Sequence, residues 1–185
     1  MVKQALFIAG CVAGLGLQAC NNNAADPAKV EAEVQKAQAE GEKKVVEAQA
    51  KLEQVAAESK KDIVVARADA RIDAADDKAK LSATNAKKTE AVEPAASVAD
   101  ENVAKTRVAA MQKVADAQYG VEKARAEATY GVTLARCKGQ SSEGMQAVCR
   151  DGAQKTLASA VASAKARSDA ARRRAAMAQT NGQNG

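Results

Sequence analysis

Between Val30 and Ala66 one set of positions recurs at steps of three and four: Val30, Val34, Ala37, Gly41, Val45, Ala48, Leu52, Val55, Ser59, Ile63 and Ala66. Charged and amide side chains fill most of the sequence between them, so the set forms one face of an amphipathic α-helix. Positions 30, 41, 52, 63 and 74 are eleven apart. An eleven-residue period implies helices that pair nearly straight or with a slight right-handed supercoil, unlike the left-handed heptad rope. Much of the face is Ala, Gly or Ser, which predicts shallow pairing. Asp26-Pro27 is a strong helix start, because Asp caps free N–H groups and Pro costs nothing at the first helical position. From Ala28 to Val92 no Pro appears and Gly41 is the only Gly. One helix is therefore expected over 26–93, about 100 Å long at 1.5 Å per residue, with a kink or break at Pro94.

A second helix is expected from Pro94 or Ala95 to about Lys138. Near its end Ala117 to Glu127 is followed by a related segment, Ala128 to Lys138, with six of eleven positions identical. Tyr119 and Tyr130 then share one stripe, and Val121 and Val132 share another. Residues 139–144 read as a turn. A last helix follows from about Met145 to Met177, with Leu157 and Val161 on its apolar side, and 179–185 is expected to be a disordered tail. A short loop between long helices predicts an antiparallel αα-hairpin over 94–178. The fold class is all-α.

Composition changes the picture from globule to rod. Hydrophobic residues make up 46% of the chain, but aromatics are 2% and Trp is absent, so most of that apolar content is Ala. Ala buries little area, and at roughly 25 cal/mol per Å² such a chain gains little from collapse. Local preference compensates, since Ala, Glu, Lys, Gln and Arg all favour helix.

The N-terminal nineteen residues carry a different message. Lys3 precedes thirteen uncharged residues, Ala5 to Leu17, which are too few for an ordinary membrane span and suit the apolar centre of a secretion signal. Leu17-Gln18-Ala19-Cys20 resembles the lipobox of bacterial lipoproteins, although Gln18 departs from the usual small or hydroxyl residue. The resemblance implies a signal peptide at 1–19, diacylglycerol and an N-acyl chain on Cys20, and a polar tether over 20–25. Several acyl chains at about 0.8 kcal/mol per buried CH₂ make a stable anchor. Asn21, where inner-membrane lipoproteins often carry Asp, implies outer-membrane placement facing the periplasm. The alternative is an ordinary cleaved signal with Cys20 incidental.

Export places Cys137 and Cys149 in an oxidising compartment. They flank the predicted turn, so a hairpin brings them together and a disulfide is expected. It is worth roughly 3 kcal/mol in the chain-entropy model. A redox or metal-binding pair is the other reading, weakened by the absence of His and of a short Cys spacing. Residues 117–170, with Tyr130, Ala135-Arg136-Cys137, eleven residues and then Cys149, resemble a group of functionally uncharacterised proteobacterial exported proteins. That resemblance implies the stapled shape and no activity.

Catalysis is not expected: there is no His base, no Gly-flanked nucleophile elbow and no phosphate-cradling loop. Asp69, Asp73, Asp76 and Asp77 lie near one helical face, but a straight helix does not wrap oxygens around a cation, and Arg67, Arg71, Lys78 and Lys80 offset them. No cofactor or metal is expected. The formal charge is +5, and the excess sits in the tail, where residues 145–185 hold seven bases and two acids. Lys165, Arg167, Arg172, Arg173 and Arg174 are the expected contact for an anionic envelope polymer or lipid, against the alternative of a solvated helix end. Export removes nucleic acid as a cellular partner.

Together these features predict a lipid-anchored, non-enzymatic spacer of the bacterial cell envelope that self-associates through its helical stripes. The small murein-bound lipoproteins are a partial analogy; the ending Asn184-Gly185 in place of their terminal Lys predicts no covalent wall attachment. The competing expectation is a helical binding or stress-protective module, since Ala- and Lys/Glu-rich eleven-residue patterns also resemble desiccation-protective proteins. Cooperative helical melting of the mature chain separates the first from the second.

Overall fold

The computed structural model describes residues 26–83 and 89–182, with side chains over 26–80 and 98–178. The predicted signal, the tether, Cys20 and the last three residues lie outside the described residues. Three helices make up the described chain: α1 (Pro27–Ala83), α2 (Thr89–Cys137) and α3 (Glu143–Gly182). At 1.5 Å per residue they are about 85, 74 and 60 Å long. The chain is all-α, as its periodicity predicts.

Two of the helices, α1 and α3, start where the sequence provides a cap. Asp26 Oδ1 accepts the Ala28 N–H at 3.1 Å, which satisfies one of the free donors of the first turn. Ser142 Oγ accepts the Met145 N–H at 3.2 Å and starts α3 two residues earlier than expected, with Glu143 favourably placed in the first turn. The first two helices are separated at 84–88, not at Pro94, which lies in the second turn of α2. Only five residues of α2 precede Pro94, so the single ladder bond that its ring removes disturbs little helix. At the other end α3 runs to Gly182, beyond Met177.

α2 is the spine. α1 and α3 each pack along it and not along each other. Both run antiparallel to α2: Glu33 meets Lys138 and Asp62 meets Lys113 across α1–α2, while Cys137 meets Cys149 and Asp116 meets Arg172 across α2–α3. The start of α1 and the α2–α3 turn therefore share one end of the rod. Gly139 in that turn sits against Val30, with space for a Cβ only 3.2 Å from Val30 Cγ1.

All eleven members of the α1 stripe from Val30 to Ala66 are buried or half-buried. The contact surface is thin. Its fully buried positions are mostly small: Ala99, Ala110 and Val121 on α2, and Ala153, Ala164 and Ala175 on α3. Both sets are spaced by eleven, like the α1 stripe. Gly41 allows the closest approach, since a Cβ there would lie 2.7 Å from Ala128 Cβ and 3.1 Å from its Cα. Because α2 is covered on two sides, its eleven-residue repeat has two inner stripes. Val132 borders α1, and Tyr130 borders α3.

Candidate functional site

The rod offers three local features with chemical potential: the stapled end, the basic flank of α3, and the grooves between helices.

At the stapled end Cys137 and Cys149 are bonded with Cα atoms 5.5 Å apart, and Cys137 is 1% exposed. Gln146 reinforces the closure by donating its Nε2 hydrogens to the carbonyls of Lys138 and Gln140 at 3.3 and 3.2 Å. Those carbonyls are among the groups a helix end leaves without partners. Lys138 Nζ reaches Glu33 Oε2 at 2.6 Å and ties the turn to the first turns of α1. The sequence foresaw the disulfide but not the Gln146 clasp or the tie to Glu33, both of which depend on how the loop folds back.

The five basic residues expected to meet an anionic partner are not equivalent. Lys165 pairs with Asp169 one turn on, at 2.7 Å. Arg167 forms a fork on Glu122 of α2, with Nη2 at 2.7 Å and Nε at 3.1 Å from Oε2. Arg172 pairs with Asp116 of α2. The carboxylates raise the pKa of Arg167 and Arg172, and the Lys165 hydrogen bond lowers that of Asp169. These three cations thus hold α3 to itself and to α2. Arg173 and Arg174 are exposed and form no ion pair with a described residue.

One groove of about 610 Å³ brings all three helices together, lined largely by Ala56, Ile63, Ala110, Val114, Ala171 and Ala175. Ser59 also faces it, 4% exposed, with its hydroxyl unpartnered. Further along the rod a groove of about 600 Å³ runs between α1 and α2, bordered by Arg67, Arg71 and Arg107. Arg67 and Arg71 are legible as a pair one helical turn apart; Arg107 joins them only once the antiparallel register is known. Among the described residues no group of three or more His, Cys, Asp or Glu is placed to hold a metal. Asp77, from the acidic face of α1, pairs with Lys80.

No family model, no curated protein and no solved structure matches this chain. No described helix is long and apolar enough to cross a membrane.

Proposed function

We propose that the chain is a lipid-anchored, non-enzymatic spacer of the bacterial cell envelope. The observation that carries this reading is the polarity of the rod. α1 begins at Pro27, seven residues after the lipobox-like Cys20 and just beyond its Asn-rich tether, and leads directly into a body about 85 Å long. The same end is closed by the disulfide and by the Lys138–Glu33 pair. A rod anchored through Cys20 holds its two-helix tip farthest from the lipid. Lys165, Arg167 and Arg172 are occupied by ion pairs, so contact of the basic flank with an anionic envelope polymer or lipid falls to Arg173 and Arg174. Exposed apolar residues on the outer faces, Val64 and Ile72 among them, offer surface for self-association.

The test is an intact-mass measurement on protein purified from membranes, beside fractionation of a Cys20→Ser variant. The expected result is a chain that begins at Cys20, carries three acyl chains and lacks two hydrogens at Cys137 and Cys149. The variant should leave the membrane fraction. An unacylated chain that begins elsewhere overturns the anchor.

A further inference from the structure

The groove bordered by Arg67 and Arg71 on α1 and by Arg107 on α2 gathers three guanidinium groups around one opening. Four cations are matched across a helix pair, Lys113 by Asp62, Lys138 by Glu33, Arg167 by Glu122 and Arg172 by Asp116, whereas Arg125 and Arg136, which border another α1–α2 groove, are not. Arg67, Arg71 and Arg107 are all exposed, and none forms an ion pair or hydrogen bond with another described residue through its side chain. Asp100 is the one carboxylate on the groove's border, so the lining is +2 in formal charge. Arg67 and Arg71 stand one turn apart as like charges, an arrangement that weakens a helix unless an anion relieves it. Ala70 and Ala99 form part of the groove wall and leave the guanidinium groups sterically free.

We propose that this groove binds phosphate groups. A guanidinium presents five N–H donors in a planar fork that matches phosphate oxygens two at a time. A phosphate monoester carries a charge of about −1.5 to −2 and three acceptor oxygens, which complements a +2 lining better than a single carboxylate does. The site begins about 60 Å along α1 from Pro27, level with the last turn of α3, and extends toward the part of the rod that is two helices thick. The inference goes beyond the spacer reading and does not depend on acylation of Cys20.

Calorimetric titration of inorganic pyrophosphate into the full chain, held in zwitterionic detergent at low ionic strength, tests it. Saturable binding at one site is expected. The triple variant R67Q/R71Q/R107Q should bind at least about tenfold more weakly, since it loses every guanidinium fork and charge that faces the anion. R125Q/R136Q, at exposed arginines of another α1–α2 groove, should bind like the parent chain. Far-ultraviolet circular dichroism of the triple variant should match the parent, because all three side chains are exposed. Mixed micelles containing phosphatidic acid, a lipid phosphate monoester, separate the two sources of phosphate: displacement of pyrophosphate assigns the groove to lipid headgroups, and retention assigns it to soluble phosphates. Absence of saturable binding to the parent chain overturns the proposal. So does equal affinity in the triple variant, or an equal loss in R125Q/R136Q.

Discussion

Single side chains in so thin an interface have effects of opposite sign according to what they face. Gly41, Gly120 and Gly131 are all helical, and replacing a helical Gly by Ala ordinarily gains about 0.5–1 kcal/mol. Gly120 and Gly131 have nothing within 4 Å of a new Cβ, so Gly120→Ala and Gly131→Ala should raise the melting temperature. Gly41→Ala should lower it, because the new methyl meets the backbone of Ala128 and the helices must separate at a cost of about 1–3 kcal/mol. A Gly41→Ala chain that melts above the parent would show that the close approach is not structural. Ser59 offers a second test. Its hydroxyl is buried without a partner, and an unsatisfied buried polar group costs about 1–3 kcal/mol. Ser59→Ala is therefore expected to stabilise the chain in thermal melts. Asp169 supplies a pH signature: its folded pKa is depressed below the ordinary 3.8, first by the hydrogen bond from Lys165. Its contribution is complete above that ordinary value and is lost as pH falls through the lower folded value. In acid melts Asp169→Asn should flatten this part of the decline.

At the scale of the helices, the disulfide does more for α3 than for its neighbours. α3 packs on α2 alone, through small side chains and the exposed pairs Arg167–Glu122 and Arg172–Asp116. Exposed ion pairs contribute about 0–1 kcal/mol each, whereas closing this loop is worth roughly 3 kcal/mol. Cys137→Ser with Cys149→Ser should accelerate amide exchange along α3 while leaving α1–α2 protected. Uniform acceleration in all three helices would refute this division. The same elements show what a sequence of this kind reveals. The α1 face was legible because Val, Leu and Ile mark it against charged neighbours, and the α2 repeat because Tyr-Gly-Val recurs. The α3 face was half legible. Leu157 and Val161 lie on it, but its buried anchors are Ala153, Ala164 and Ala175, identical in type to exposed alanines nearby. Alanine carries no mark of inside or outside, so only the eleven-residue spacing could have picked them out. The boundary after Ala83 was missed because Pro94 is the stronger breaker in general, yet an early helical position tolerates it. The Arg67–Arg71–Arg107 groove needed the pairing register of two segments far apart in sequence, which no local pattern supplies.

The whole molecule is better described by length than by a core. A compact domain of about 160 residues has a radius of gyration near 15 Å. A uniform rod the length of α1, about 85 Å at 1.5 Å per residue, has a radius of gyration of about 25 Å. Small-angle scattering of residues 21–185 with Cys137 and Cys149 oxidised should give the larger value; the smaller would mean that the helices fold back on themselves and the spacer reading would fail. The distal part makes a sharper demand on the same geometry. Beyond α3 only α1 and α2 remain, and the inner stripes repeat every eleven residues. Deleting 70–80 from α1 and 92–102 from α2 removes one repeat from each helix, so Ala, Val and Ile positions on either side of each cut keep their faces. The shortened chain should stay helical, melt cooperatively and lose about 16 Å of length. Deleting nine residues from each helix instead shifts every later position by about 180° around its axis. That turns the apolar stripe of one side of the cut toward solvent, and the two-helix tip should lose its protection from amide exchange.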